Sequence, residues 1–159
     1  MSVRRILDLF GNVVFVSAGQ VILQNSGVLL SVLEVLKKHS STLFTYLVDI
    51  IIFESNDGYL IIVYVFVSVD KSSRVEVICP IGKEHPSIIE KFKSANWLER
   101  EAADMFGVFF SGHEDLRRLL TDYGFKGHPL LKTFVEENVV TFDEAKKSVE
   151  YKSAVVGFR

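Results

Sequence analysis

The chain has 159 residues, 48% of them hydrophobic, and carries 18 Lys and Arg against 20 Asp and Glu for a formal net charge of −2. That length buries one core of its own and needs no second. The charge balance excludes a surface built on excess basic residues for nucleic acid or anionic lipid. The single cysteine, Cys79, excludes an internal disulfide and cannot by itself hold an iron–sulfur cluster or a structural zinc.

The N-terminal MSVRRILDLFG lacks the apolar core and cleavage site of a secretory signal and the Arg/Ser-rich character of an import sequence. The protein is therefore expected to be made where it works, or to be written without its leader. Val13 to Ser17 and Gln20 to Gln24 are short β-prone runs around Ala18-Gly19, read as a first hairpin or a bent strand. Asn25 or Ser26 can cap a helix at about 27 to 38, with Val28, Leu29, Val32, Leu33, Val35 and Leu36 as its apolar face and Lys37, Lys38 and His39 at its negative end. Leu43 to Phe53, Tyr59 to Val69 and Arg74 to Cys79 are rich in Val, Ile, Tyr and Phe and joined by short polar loops, which predicts an antiparallel meander. The middle strand is almost wholly apolar, so both its faces are expected to be covered. Its nine-residue run, Tyr59 to Val67, falls short of the ~20 residues of a membrane helix. Pro80 ends the third strand, and His85-Pro86 is read as opening a helix to about Ala95 with Ile88, Ile89 and Phe92 inward. The expected fold is α+β, a two-layer sandwich of helices on a mostly antiparallel sheet. Its domain covers residues 1–125, and an extended C-terminal tail with one hairpin covers 126–159.

The stretch from Trp97 to Phe134 holds four of the ten glycines and interleaves charges with aromatic residues. Gly107, Gly112, Gly124 and Gly127 each follow a short polar or aromatic run where a positive φ would turn the chain, so one helix followed by an ordered, turned path is expected. On that helix Trp97, Leu98, Ala102, Met105 and Phe106 form the inward face. Glu101 falls among them, to be answered by Arg117 or Arg118, while Glu99, Arg100 and Asp104 face outward and Arg100 pairs with Asp104. A buried ion pair explains Glu101 better than an acid/base role, because no nucleophile or second ionisable group stands at a diagnostic spacing. His113 and His128 with Glu114, Asp115 and Asp122 match no compact metal-ligand pattern; loop histidines bonded to carbonyls are the expectation. No Ser sits in a nucleophile-elbow context, and Val108-Phe109-Phe110 would block phosphate from the Gly107 to Gly112 loop. Tyr123, Phe125 and Phe134 with Arg117, Arg118, Lys126 and Lys132 have the composition of a protein interface.

The segments Trp97-Leu-Glu-Arg-Glu-Ala-Ala-Asp-Met-Phe-Gly107 and Gly112-His-Glu-Asp-Leu-Arg-Arg-Leu-Leu-Thr-Asp-Tyr-Gly-Phe-Lys-Gly-His-Pro-Leu130 resemble the 30 kDa subunit family of respiratory complex I, the proton-pumping NADH:ubiquinone oxidoreductase. The resemblance implies a hydrophilic subunit of the peripheral arm, with no flavin, cluster or quinone ligand of its own, that braces the cluster-bearing and quinone-site subunits. FMN, iron–sulfur clusters and ubiquinone would belong to the complex. The motif positions carried over are Glu99, Arg100, Glu101, Asp104, Met105, Phe106, Gly107, Gly112, His113, Asp115, Leu116, Arg117, Arg118, Thr121, Asp122, Tyr123, Gly124, Phe125, Gly127, His128 and Pro129. Ala103, Glu114, Leu131, Thr133 and Val135 depart from the pattern. The implied location is the matrix side of the mitochondrial inner membrane or, alternatively, the cytoplasmic face of a bacterial membrane. Competing readings are a stand-alone metal enzyme using Glu101, His113 and Asp115, and a nucleic-acid-binding domain that the charge balance disfavours.

Overall fold

The structure is a computed structural model that describes residues 13–16, 19–122, 124–134, 138–143 and 148–153. Strands β1 (Val13–Val16) and β2 (Gln20–Leu23) form the expected antiparallel hairpin, with Gly19 at φ 84° in the turn. A 3-10 turn at Ser26–Val28 follows, where the Asn25 side chain accepts the Gly27 N–H, and it leads into helix α1 (Leu29–Lys38). Leu29, Val32, Leu33 and Leu36 are buried on its inner face and Lys37 and Lys38 close its last turn, as the 3.6-residue period and the helix dipole require.

The helix carries the chain across the sheet to its far edge. There β3 (Tyr46–Glu54), β4 (Leu60–Ser68) and β5 (Ser73–Pro80) run as the antiparallel meander, and β2 joins β5 in parallel, giving the order β1-β2-β5-β4-β3. An irregularity between Leu47 and Asp49 lets Leu47 and Ile52 both reach the core despite their odd separation. With Ile62, Tyr64, Phe66, Val75, Val77, Cys79, Val21 and Leu23 they form the sheet's half of one core, which the helices cover. The second face of β4 is only partly covered: Val65 is buried, whereas Ile61, Val63 and Val67 are half-buried.

The helix expected from His85 does not form. His85–Pro86 is instead a short strand, β6, paired in parallel with β7 (Phe110–Ser111). The N–H groups of His85 and Ser87 donate to the Phe109 and Ser111 carbonyls at 3.0 and 2.9 Å, and the Ile88 N–H goes to the Glu99 carboxylate. These lateral bonds hold the segment extended, and one turn, closed by Lys91 and Phe92 N–H on the Ile88 carbonyl, still delivers Ile88 and Phe92 to the core. Helix α2 (Ala95–Phe106) begins afterwards and ends at Gly107 in the left-handed conformation.

Residues 126–134, where the sequence suggests an extended tail, turn back on the domain. The His128 ring, the Leu130 N–H and the Lys132 N–H bond the Asp104 carbonyl, the Met105 carbonyl and the Glu54 carboxylate at 3.0, 3.1 and 2.9 Å. The expected hairpin follows as β8 (Asn138–Asp143) and β9 (Ser148–Ser153). The first twelve residues, Tyr123 and the end of the tail lie outside the described residues.

Phe66, 1% exposed, packs on Phe92 at a ring separation of 4.8 Å and joins the meander to the 88–92 turn. Phe66→Ala is expected to cost about 3–5 kcal/mol, read as a lower urea midpoint at unchanged slope.

Candidate functional site

The inward face of α2 is set one step away from the expected one. Ala95, Glu99, Ala102 and Asp104 are buried and Leu98, Ala103 and Phe106 pack partly against the core, whereas Trp97 is 63% exposed and Glu101 is exposed. Two carboxylates are therefore buried, Glu99 on this inward face and Asp104 on the other side of the helix beneath the 118–121 turn, and neither is Glu101. Ala95, Leu98, Ala102 and Phe106 already make a stripe at helical spacing that contains Glu99. The charge on residue 99 hides the stripe from a reading that counts only apolar side chains.

Asp104, 3% exposed, organises the segment after the helix. Its Oδ2 accepts the consecutive backbone N–H groups of Leu119, Leu120 and Thr121 at 3.0, 2.8 and 2.9 Å. Its Oδ1 accepts the Thr121 hydroxyl at 2.6 Å and Arg118 Nη1 at 2.8 Å. Arg118 also donates to Thr121 Oγ1 and to the Gly127 carbonyl, and lies 5.8 Å from the centre of the Phe125 ring, which stacks on Phe134. Burial alone would raise the Asp104 pKa, but the Thr121, Leu120 and Leu119 bonds outweigh it and hold the carboxyl well below the usual range. Arg118 thus answers Asp104, not Glu101. The expected Arg100–Asp104 pair is not formed, because Asp104 is taken by Arg118 and the 119–121 turn while Arg100 Nε donates to the Arg117 carbonyl at 3.2 Å.

All four glycines of the stretch have positive φ, between 71° and 93°. At Gly107 the requirement is double: φ is 71°, and a Cβ there would stand 2.6 Å from Cδ2 of His128. Gly127 lets Phe134 approach in the same way, at 2.8 Å. His128 Nδ1 donates to the Asp104 carbonyl, the carbonyl bond expected of a loop histidine.

Glu99, fully buried, crosslinks two loops. Its carboxylate accepts the Ser87 hydroxyl at 2.6 Å and the Ile88 N–H at 2.8 Å, and lies 4.0 Å from His113 Nε2. Burial raises its pKa, with Ser87, Ile88 and His113 pulling back. Beside it His85 Nε2 meets the Tyr64 hydroxyl at 2.9 Å; burial lowers the His85 pKa to about 4 and lifts that of Tyr64 well above its usual value. The role of residues 85 and 87 escapes the sequence, because no local pattern marks a turn that a distant carboxylate will cap. Asp115 chelates Arg117 at 2.8 and 2.7 Å, which holds the Asp115 carboxyl below the usual range.

Glu101, His113 and Asp115 do not converge as a metal enzyme would need: Glu101 faces solvent and His113 Nδ1 is taken by the Asp115 N–H. Among the described residues no three His, Cys, Asp or Glu side chains gather as a metal site, and no helix is long and apolar enough to cross a membrane. The motif's Asp122 and Gly124 are exposed, Pro129 is half-buried, and large apolar side chains of the stretch stand exposed, among them Trp97, Leu120 at 62% and Leu130 at 55%.

Asp104→Asn is expected to lose about 3 kcal/mol near neutral pH, because three N–H groups and Arg118 lose their charged acceptor. A lowered carboxyl pKa adds stability above the unfolded value of about 4 and loses it as pH falls toward the folded value. The gap between variant and parent, measured by urea unfolding across pH, should therefore close in acid. Gly107→Ala is expected to cost about 2 kcal/mol or more, a melting temperature lower by about 4–8 °C.

Residues 23–139 match the model of the family described as respiratory-chain NADH dehydrogenase, 30 Kd subunit. A relative in Dinoroseobacter shibae, a subunit of NADH-quinone oxidoreductase by name, is 43% identical over 123 residues, which cover 74% of this chain and 57% of that protein. Mitochondrial NADH dehydrogenase [ubiquinone] iron-sulfur protein 3 of Candida albicans is 50% identical over 95 residues, covering 57% of this chain and 34% of the relative. The chain thus spans about half or less of the length of these two relatives. Among solved structures, a trypsin-resistant fragment of Nqo5 shares the fold, with a TM-score of 0.57 at 24% identity over 73% of this chain and all of the fragment. With the motif folded around Asp104 and the family match running through both of its segments, this chain belongs to the respiratory-chain NADH dehydrogenase 30 Kd subunit family.

Proposed function

We propose that the chain is a non-catalytic subunit of the peripheral arm of respiratory complex I that braces the cluster-bearing and quinone-site subunits. The observation that carries this reading is how the motif spends its charges. Asp104, Arg118, Glu99, His113 and Asp115 are bonded within the chain and shape its surface, while Trp97, Leu120 and Leu130 remain exposed. A surface shaped by internal bonds with exposed aromatic and aliphatic anchors suits a protein interface. FMN, the iron–sulfur clusters and ubiquinone are assigned to the neighbouring subunits. The names of the relatives support a membrane-associated complex, and the matrix side of the mitochondrial inner membrane is the proposed location, with the cytoplasmic face of a bacterial membrane as the alternative.

The endogenous protein is expected to co-migrate on native gels with a very large assembly that stains for NADH oxidation; recovery as a free monomer absent from it overturns the reading. Trp97→Ala with Leu120→Ala is expected to lower the amount of assembly severalfold and to leave turnover per assembled complex unchanged. The melting temperature of the isolated chain should move by about 2 °C or less, since both side chains are surface-exposed.

A further inference from the structure

A line of polar contacts runs from the buried interior to the outer edge of the motif. Side-chain exposure rises along it from 0% at Glu99 and 1% at His113 to 36% at Asp115 and 75% at Arg117. The Asp115 N–H donates to His113 Nδ1 at 3.0 Å, so the proton of a neutral ring sits on Nε2. That nitrogen lies between the Asn96 carbonyl at 3.4 Å and Glu99 Oε2 at 4.0 Å, short of a direct bond to the carboxylate. Asp115 in turn accepts the Arg117 N–H, Nε and Nη2, and the Arg117 carbonyl accepts Arg100 Nε.

We infer that Glu99 and His113 form a proton-operated joint, in which gain or loss of a proton at Glu99 moves the neutral His113 ring and resets the Asp115–Arg117 turn on the surface. With the carboxylate charged and the ring neutral, the Nε2–H across the 4.0 Å gap is drawn into a direct charge-assisted bond of about 2.8 Å, off the Asn96 carbonyl. With the carboxyl protonated that attraction is gone and the ring stays on Asn96. Because the ring holds the Asp115 N–H, the turn moves with it. Gly112, at φ 87° with open space around its Cα, precedes the ring and can absorb the change.

The ionisable groups facing Glu99 are His113 and, from β4, Tyr64; behind Tyr64 stand His85 of β6 and Cys79 of β5. Burial pushes the Cys79 thiol to about 12, Tyr64 well above its usual value and His85 down to about 4, so between about pH 5 and 9 these three keep their protonation state. Glu99, raised by burial, binds its proton more tightly folded than unfolded, so the stability tied to that proton is complete below the unfolded value of about 4.3 and is lost as pH rises through the folded value.

The test is an NMR titration of the isolated full chain, following the Glu99 carboxyl carbon and the Asp115 and Arg117 amides from about pH 4.5 to 9. The Glu99 step is expected above the ordinary glutamate range, with the Asp115 and Arg117 amides moving at the same midpoint. Glu99→Gln, which can still accept the Ile88 N–H and donate to Ser87 Oγ, should abolish the amide step; so should His113→Asn, whose Oδ1 can take the Asp115 N–H. Amides that stay still while Glu99 titrates, or a step that survives either substitution, overturn the joint. If Glu99→Gln does not fold, the parent titration and His113→Asn decide. The relevance to docking rests on the proposed function, but this experiment needs no partner, so failure of the joint and failure of assembly are read separately.

Discussion

One carboxylate receiving three consecutive backbone N–H groups is the constraint on which the motif depends. A chain turning at Leu119, Leu120 and Thr121 exposes donors that no helix or sheet satisfies, and Asp104 takes all three while binding Arg118 and the Thr121 hydroxyl. Such a concave set of N–H groups is an anion site, filled here from within the chain. The cost of burying the charge is offset because every strong acceptor direction is used. Arg118 then reaches the Gly127 carbonyl, and His128 returns to the carbonyl of Asp104 itself, so the path from 107 to 128 closes on one residue.

A second carboxylate, Glu99, holds the other side of the same helix with a different balance. It has two neutral donors and a histidine at a distance, so desolvation is less well compensated and its proton is held more tightly. Helix α2 is therefore pinned by two buried acids of opposite character, one whose proton is held less tightly than usual and one whose proton is held more tightly. Between them the helix and its loops become a shaped surface on which Trp97, Leu120 and Leu130 stand exposed beside charged side chains.

Much of the architecture was legible in the residues. The α1 stripe, the Asn25 cap, the β-prone runs with Asn56-Asp57-Gly58 and the positive-φ glycines are local signals, and each appears where backbone sterics and periodicity place it. The 85–95 segment was misleading because Pro86 suits either a helix start or an extended strand; the choice fell to Phe109, Ser111 and Glu99, all distant in sequence. Glu101 misled for a related reason. Two phases of α2 offer similar apolar faces, and the true one is selected by what Ser87, Ile88 and the 119–121 turn offer to Glu99 and Asp104.

By itself the sequence determined the α+β class, the meander and the two-part motif that carries the family, because these rest on period, propensity and residue order. Only the tertiary structure decided which carboxylates are buried, which arginine answers which acid, and where Trp97, Leu120 and Leu130 stand exposed. The physical reason is that a buried charge is placed by donors gathered from several segments. Spacing along one helix constrains which residues share a face, while the partners that make burial of a charge tolerable come from chain folded up against it.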